Sequence, residues 1–504
     1  MSTGSTLSPF DRSIHTYPGA PSQTRIEADS LGSVDVPADA YWGVHTARAL
    51  TNFAISGRPI SEYPDLLVAY AVVKQAAARA NAEVGFLDAE KARLIEQACI
   101  DVRDGNLHEQ FVVDIIQGGA GTSTNMNVNE VIANRGLEIA GREFGDYGFL
   151  NPNDDVNRGQ STNDTYPTAF KLALIFAGER LVEEFDRLIA AFSAKGDEFA
   201  DVVKVGRTQL QDAVPMTVGQ EFTGFTTSLR DERNAIAGLV SELTVISLGA
   251  TAIGTGITAD PAYTEVVRRH LSEIVGREFT TATDLIAATS DMGVFLRVSG
   301  ALRNAAMKLS KICNDLRLLS SGPQFGLGEI NLPERQAGSS IMPGKVNPVI
   351  PEVVNEVCFA VTAADIAISF AAEAGQLQLN AFEPLMAHKL LQNEKWLTSA
   401  MITLRENCVD GITVNRERLA SQVDRFVGVV TAFTPYIGYE TAATLAKRAL
   451  KEPTPIADLL TENDLMDPED VAALLEPARL SGQDASVPAL RRDYHQAQPR
   501  VTQE

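Results

Sequence analysis

Four short polar clusters contain the residues of this chain best suited to chemistry. They combine hydroxyl and amide side chains, and they are Gly121–Asn125, Ser161–Asp164, Gly206–Asp212 and Gly338–Pro348. Each cluster comes just before a segment with helical periodicity, so one interpretation is that these side chains cap helices. The alternative is an anion site, because the unpaired N–H groups and the dipole of a helix N-terminus favour negative charge. Several such ends converging could hold a small dicarboxylate.

The fourth cluster, Gly338–Pro348, has the composition of a mobile loop over an anionic ligand. It places two glycines with Ser339, Ser340, Lys345 and Asn347, so it is flexible, rich in donors and carries one cation. We expect it to act as a lid over a substrate. The alternative is an ordinary surface loop.

The overall composition limits the class of protein. The chain has 504 residues, of which 45% are hydrophobic. This is enough for about two to four structural units, and it excludes wholesale disorder. Lys and Arg number 43 against 65 Asp and Glu, a formal charge of −22. That acidic balance argues against binding nucleic acid or an anionic membrane through bulk charge.

Other features favour a cytoplasmic protein without a metal site. The four cysteines are too few and too scattered for a disulfide framework. The six histidines show no metal-ligand spacing. No apolar run reaches the roughly 20 residues that cross a bilayer. Residues 1–24 are rich in Ser, Thr, Gly and Pro, and they predict a flexible leader and not a secretion signal.

The spacing of prolines predicts long helices that could position the polar clusters. Proline breaks helix interiors, and long proline-free stretches follow Pro167, Pro215, Pro261, Pro351 and Pro384. After Pro215, apolar residues recur at steps of three, four or seven, as on one face of a helix. Similar segments lie at about 168–200, 291–320, 351–378 and 385–410. Five long helices in succession predict a mainly α fold with a central five-helix bundle.

The pattern predicts three domains and an oligomer. Residues 25–163 form a mixed N-terminal domain, residues 164–417 the central helical bundle, and residues 418–504 a small helical C-terminal domain with a polar tail. A long bundle exposes much apolar surface, so we expect the bundles to join in a homo-oligomer. Because neighbouring antiparallel helices point their N-termini to opposite ends, a composite site would draw on more than one chain.

The segment Gly338–Pro348 resembles the signature loop of the fumarase/aspartase superfamily, whose members cleave C–N or C–O bonds and release fumarate. The resemblance covers about residues 25–475, and its motifs are highly specific. Within the superfamily the chain is most similar to the aspartases. The residues that favour this choice are Val349–Asn355, Ala371–Asn380 and Pro37–Thr46.

The resemblance implies reversible deamination of L-aspartate to fumarate and ammonia, with Ser339 as the base that removes the proton. It implies contacts to the substrate carboxylates from Thr122, Ser161, Thr162, Ser340, Lys345 and Asn347. It implies contacts around the departing amino group from Asn163, Thr208 and Gln209. It also implies a three-domain helical fold, a homotetramer in which three chains build each active site, and no organic cofactor.

This chemistry depends on stabilising a carbanion. The C–H beside the β-carboxylate is weakly acidic, so its charge must spread onto that carboxylate as an aci-form dianion. Donors that strengthen as this charge grows would be the main catalytic device. Serine is a weak base in water, and a nearby Lys345 ammonium in a closed loop would favour the Ser339 alkoxide.

Gln209 departs from part of the superfamily pattern. Fumarases and some aspartases have a histidine at the matching position, paired with a glutamate that matches Glu352. Glutamine cannot shuttle protons at neutral pH, which weakens the alternative of a class II fumarase. A catalytically inactive structural homologue is a further alternative. Argininosuccinate and adenylosuccinate lyases share a related loop but resemble this chain much less elsewhere.

Overall fold

The computed structural model describes residues 23–452, 454–484, 486, 490 and 494. Residues 1–22 of the predicted leader and most of the predicted polar tail lie outside the described residues. In the described chain helices predominate, and each sheet has two strands. The prediction of a mainly α fold is confirmed.

The long helices that the proline spacing predicts are all present. In the described chain the helices are α1 (Val44–Asn52), α2 (Pro64–Glu83), α3 (Ala89–Arg103), α4 (Thr122–Ile139), α5 (Thr162–Glu198), α6 (Val218–Glu242), α7 (Tyr263–Val275), α8 (Leu285–Ser290), α9 (Gly293–Leu319), α10 (Val349–Glu373), α11 (Glu383–Asn407), α12 (Arg416–Asp424), α13 (Thr434–Ile437), α14 (Tyr439–Lys451), α15 (Ile456–Glu462), α16 (Pro468–Leu474) and α17 (Pro477–Leu480). The five longest of them are α5, α6, α9, α10 and α11.

The strands are short and lie between the helices. They are β1 (Thr24–Asp29), β2 (Gly32–Pro37), β3 (Val203–Thr208), β4 (Gln211–Thr217), β5 (Val245–Ile246), β6 (Thr280–Thr281), β7 (Ile330–Asn331) and β8 (Thr413–Val414). The strand-like start predicted from Ile26 to Val36 is an antiparallel hairpin of β1 and β2.

One helix begins earlier than the proline rule predicts. Helix α5 starts at Thr162 and includes Pro167, whereas the sequence pattern placed its start after that proline. Pro167 lies in the first two turns, where the missing N–H removes a single intrahelical bond. The earlier start brings Thr162 and Asn163 into the first turn of α5.

Helix α10 is apolar enough, by length and composition alone, to cross a membrane. About a third of its most apolar stretch is buried. From the sequence we expected no membrane-spanning segment, because no uninterrupted apolar run reaches the required length. One such helix is weak evidence for a membrane protein, since a core helix passes the same test.

The described chain forms two compact units. The first consists of Met1–Glu183, Asn234–Ala306 and Phe359–Thr398, of which residues 1–22 are not described. Its core is built on α2, which packs against α3 and α7 and is buried along most of its length. Phe170 of α5 and Phe295 of α9 stack with their ring centroids 4.2 Å apart.

The second unit consists of Glu184–Arg233, Met307–Cys358 and Ser399–Glu504, described as far as the ranges above allow. Here α12 packs against β3 of the hairpin formed by β3 and β4. Three phenylalanines, Phe192, Phe222 and Phe225, cluster between α5 and α6. A separate apolar core, centred on Phe433, Leu459 and Leu460, holds the short C-terminal helices together.

Glu383, the first residue of α11, is a buried carboxyl group in the first unit. Neither of its oxygens has a hydrogen-bond partner among the described residues. Burial raises its pKa to about 8, although the charge of Lys171 acts in the opposite direction. The folded protein therefore keeps a proton that the unfolded chain releases above its ordinary pKa of 4.5. Stability is expected to fall as the pH rises from about 4.5 to about 8, because the unfolded chain binds fewer protons in that range.

The variant Glu383→Gln tests this expectation, because glutamine has the same shape and does not ionise. At about pH 8 we expect it to raise the free energy of unfolding by on the order of 3 kcal/mol, with a much smaller change at about pH 5. Urea denaturation at the two pH values measures the difference. The exposed Glu373→Gln on α10 is the control. An equal effect of Glu383→Gln at both pH values would contradict the expectation.

Candidate active site

The N-termini of α4 and α5 lie in contact in the first unit and bring four of the predicted site residues together. These are Thr122 in the first turn of α4, and Ser161, Thr162 and Asn163 at the start of α5. A hydrogen bond of 3.3 Å from Thr165 to Asn125 joins the two first turns. Both helices therefore present the positive ends of their dipoles in one place, as an anion site requires.

Gly121 permits this contact, because no larger residue fits there. Its φ is +86°, and a Cβ at this position would lie 2.0 Å from the ring of Tyr166. The residues before it, Gly119 and Ala120, also have positive φ. This left-handed turn leads directly into Thr122, whose hydroxyl donates to the Gly119 carbonyl at 2.8 Å. Gly121 is the N-cap of α4, and the side chain that caps this end is Gln117, whose Oε1 accepts from the Thr124 N–H at 2.9 Å. The cap therefore comes from outside the first cluster, so the capping interpretation is wrong for the side chains of that cluster.

For the second cluster the capping interpretation is correct. The Ser161 hydroxyl accepts from the N–H of Asn163 at 3.2 Å, and the N–H of Ser161 donates to Asp164 Oδ1 at 3.0 Å. This reciprocal pair is a capping box. Asp164 Oδ2 also accepts from the N–H groups of Gly249 and Thr251. Burial raises the pKa of Asp164 to about 6, and those N–H donors oppose the rise.

A buried lysine under these helix ends was missed by the sequence reasoning. Lys74 of α2 is fully buried, and its Nζ donates to Asn157 Oδ1 at 2.9 Å and to Gln160 Oε1 at 3.0 Å. Asn157 also accepts from Asn125 and Asn129 of α4. Burial lowers the pKa of Lys74 to about 7. A lysine that follows the apolar run Leu66–Val73 and precedes three alanines of α2 was the available signal.

The third cluster lies in the second unit and forms a hairpin, not a helix N-terminus. Thr208 ends β3 and pairs with Gln211 of β4, and Gln209 and Leu210 form the two-residue turn. Both turn residues are left-handed, with φ of 54° and 62°. Such turns favour glycine and asparagine, so the backbone is strained here, as it often is at functional sites. The expectation that this cluster directly precedes a helix is wrong, because alternating strand residues follow it.

A buried ionic network holds this hairpin. Lys204 of β3 lies 2.7 Å from Glu329 and 2.8 Å from Glu221 of α6. Arg207 also forms an ion pair with Glu329, whose side chain is fully buried. Glu329 directly precedes β7, on the segment that continues towards the lid loop. One carboxylate therefore fixes both cations at the base of the Thr208–Gln209 turn.

Removing the charge of Glu329 is expected to destabilise this unit. In Glu329→Gln the buried Lys204 loses its closest counter-charge, and we expect a loss of about 3 kcal/mol in the free energy of unfolding. Glu221→Gln, which removes the more exposed partner of Lys204, is the control and should cost less. Urea denaturation of both variants measures the difference. Parent-like stability of Glu329→Gln would show that the network does not hold the hairpin.

The fourth cluster is an exposed loop that closes on itself. The Gly338 N–H donates to the Lys345 carbonyl at 2.7 Å, and the Asn347 amide donates to the Gly338 carbonyl at 2.7 Å. The side chains of Ser340 and Lys345 are exposed. Asn347 leads into α10 through a bond from the Val349 N–H. The loop ends therefore have a defined position while its middle is open to solvent.

The hydroxyl of Ser339, the base that the resemblance implies, is held within the loop by backbone donors. Its Oγ accepts hydrogen bonds from the backbone N–H groups of Ile341 at 3.1 Å and Met342 at 2.9 Å. Two donors on one oxygen stabilise negative charge there and favour the alkoxide. From the sequence, the Lys345 ammonium was the side chain expected to favour the Ser339 alkoxide. The two backbone donors lie in the turn of the loop.

Gln209 and Glu352 are not joined by a hydrogen bond in the described chain. The carboxylate of Glu352, in the first turn of α10, lies instead 4.0 Å from Arg317. Within the part of the second unit that the structure describes, no hydrogen bond or ion pair joins the Gln209 turn to the lid loop. Across the described residues, no group of three or more His, Cys, Asp or Glu side chains could hold a metal ion.

Comparisons with known proteins identify the family of this chain. The family described as Lyase matches residues 32–363, and the family described as Fumarase C C-terminus matches residues 429–482. Aspartate ammonia-lyase of Pseudomonas aeruginosa is 55% identical over 458 residues, which cover 91% of this chain and 97% of that protein. The enzyme of the same name from Escherichia coli is 49% identical and is covered to 96% of its length.

Solved structures are similar over nearly the whole chain. The cobalt-bound crystal structure of fumarate lyase:delta crystallin from Brucella melitensis has a TM-score of 0.89 and 51% identity, and the match covers 91% of this chain and all of that one. The class II fumarase of Schistosoma mansoni has a TM-score of 0.85 at 33% identity, with 91% and 99% covered. The chain belongs to the fumarase/aspartase superfamily of lyases.

Proposed function

We propose that this protein is an aspartate ammonia-lyase, which converts L-aspartate reversibly to fumarate and ammonia. The observation that carries the proposal is the Ser339 hydroxyl, held by two backbone N–H groups in an exposed glycine-rich loop. Curated aspartate ammonia-lyases that are 49–55% identical over 87–97% of their length support the choice of substrate. The fumarase structure is a more distant relative, at 33% identity.

In the proposed mechanism Ser339 removes a proton from the carbon beside the β-carboxylate of L-aspartate. The electron pair left on carbon spreads onto that carboxylate, and the resulting dianion expels the amino group as ammonia. The donors that stabilise the dianion decide the rate, because they bind it more strongly than they bind the substrate. The proposed contacts to the two carboxylates are Thr122, Ser161, Thr162, Ser340, Lys345 and Asn347.

The amino group is proposed to lie near Asn163, Thr208 and Gln209. Ammonia is a neutral leaving group when it departs from the ammonium form of the substrate, so no general acid is needed to release it. Gln209 can donate or accept hydrogen bonds without moving a proton. The Asn163 amide already donates to the Ala252 carbonyl at 2.7 Å, and this bond fixes its orientation.

We further propose that the protein is a homotetramer with active sites shared among chains. Phe359, Ile366 and Phe370 recur at steps of seven and four on α10 and are 61%, 62% and 71% exposed. Such an apolar face on a long helix is suited to packing against a second copy. Contact with a second copy would also account for the composition of α10, which is apolar although only about a third of its most apolar stretch is buried.

The proposed domains are residues 25–163, 164–417 and 418–504, and the proposed location is the cytoplasm. The match to the Fumarase C C-terminus, at residues 429–482, lies inside the third domain. Cys99, Cys313, Cys358 and Cys408 are buried free thiols, which fits a reducing compartment.

One assay tests the proposed activity. Purified protein is given L-aspartate or L-malate, and fumarate is followed by its ultraviolet absorbance, with ammonia measured in parallel. We expect fumarate and ammonia in equal amounts from L-aspartate. Fumarate from L-malate alone would identify a fumarase, and no product from either substrate would identify an inactive homologue.

A further inference from the structure

A pocket of about 520 Å³ opens at the base of the hairpin that carries Thr208 and Gln209, wholly within the second unit. Its polar lining comes from both strands of the hairpin and from α12 and the residue that follows it. The polar lining residues are Arg207, Asp212, Ser421, Gln422 and Arg425.

Both arginines of this pocket have N–H donors without a partner among the described residues. Arg207 uses only Nη1, for the Val205 carbonyl and Glu329, so its Nε and Nη2 have no partner among the described residues. The Arg425 side chain has no hydrogen bond or ion pair in that part of the chain. A guanidinium presents its donors in a fork that matches a carboxylate.

The remaining walls and the charges define the ligand more closely. Apolar side chains line the rest of the pocket, namely Val205, Phe426, Val427 and Leu450. Because Glu329 already neutralises Arg207, the net attraction comes from Arg425. Asp212 in the same lining repels any anion, and it repels a doubly charged one more strongly. A monoanion with a short apolar body therefore fits better than a dicarboxylate such as the proposed substrate.

We propose that this pocket is a binding site for a small monocarboxylic acid and that its occupation alters the turn at Thr208 and Gln209. The connection is short, because Arg207 lines the pocket, pairs with the buried Glu329 and directly precedes Thr208. The strained left-handed turn follows at Gln209. An acid that binds the free Nε and Nη2 donors of Arg207 brings a second carboxylate to a guanidinium already paired with Glu329, and the resulting movement of Arg207 shifts the hairpin tip. The effect on turnover rests on the proposed function, whereas the binding does not.

Butyrate is the probe for binding, observed by saturation transfer from the full-length protein in NMR. The titration is done with excess succinate, a dicarboxylate that occupies the candidate active site. The test variant is Arg425→Gln, and the control is Lys447→Gln, an exposed residue on α14 that removes the same charge outside the pocket. We expect Arg425→Gln to weaken butyrate binding by roughly 10- to 100-fold and Lys447→Gln to leave it unchanged.

Kinetics test the coupling separately. Butyrate should change kcat or KM for L-aspartate in the parent and in Lys447→Gln, but not in Arg425→Gln. Equal binding in the two variants, or loss of the butyrate signal on adding succinate, would overturn the site. Binding that depends on Arg425 without any kinetic effect in an active enzyme would overturn the coupling. A protein that binds butyrate through Arg425 but does not deaminate L-aspartate would refute the proposed function and leave the site intact.

Discussion

Replacing Ser339 by alanine is expected to lower turnover of L-aspartate by about 10³-fold or more, while a dicarboxylate inhibitor still binds. The hydroxyl is the only group removed, and in the structure it accepts two backbone N–H groups that favour its deprotonated form. Those N–H groups stay in place in the variant, so the loop keeps donors for an anion. Loss of the base should therefore appear in kcat and not in the affinity for the inhibitor.

Single-turnover and steady-state rates with L-aspartate, together with calorimetric titration of succinate, measure the two effects. Ser340→Ala is the matched control, because the neighbouring hydroxyl is proposed to contact the substrate and not to move a proton. We expect Ser340→Ala to retain much more activity than Ser339→Ala. Near-normal turnover of Ser339→Ala would remove this residue from the role of base.

Placing charge on the exposed apolar face of α10 is expected to abolish assembly and, with it, activity. The double variant Ile366→Asp with Phe370→Asp puts two carboxylates where 62% and 71% exposed apolar side chains now lie. If a second chain covers this face, burying those charges is too costly for the contact to survive. Because the active sites are proposed to be shared among chains, separated chains should form no fumarate.

Light scattering and the fumarate assay on the same samples measure assembly and activity together. Ile366→Val with Phe370→Leu keeps the face apolar and should preserve both. A parent protein that is monomeric, or an aspartate variant that remains a tetramer, would contradict the proposed interface. An active monomer would contradict the shared active sites even if the interface is correct.

Mixing two inactive variants gives an independent test of shared sites. Ser339→Ala disables the lid loop, and Thr122→Ala weakens the α4 end, so each homotetramer should be impaired. When the two chains are unfolded and reassembled together, some sites should receive an intact Ser339 and an intact Thr122 from different chains. Fumarate formation above that of either variant alone is the expected result. Its absence in reassembled tetramers would place both residues of each site in one chain.

The local features of this protein could be predicted from the sequence because they depend on neighbouring residues. Proline spacing and apolar periodicity predicted α5, α6, α9, α10 and α11, with helix ends up to about six residues from those observed. The capping box of Ser161 and Asp164 closes within four residues of chain. The lid loop also forms its bonds within itself, from Gly338 to Asn347. For these elements the physical determinants are short in range, and the sequence by itself determined them.

The tertiary structure alone decided the features that join distant segments. Arg207 meets Glu329 across 122 positions of the chain, and no local pattern shows that this carboxylate holds the hairpin of Thr208. Lys74 donates to Asn157, which is 83 positions away in the chain. Through this bond α2, which has the composition of a core helix, places a cation beside the candidate anion site. Residue 121 must be a glycine because the ring of Tyr166, on α5, leaves no room for a Cβ atom. Such contacts depend on which helix and strand faces are buried together. A buried charge needs a partner because burial removes its water, and distant segments supply that partner only once the chain has folded.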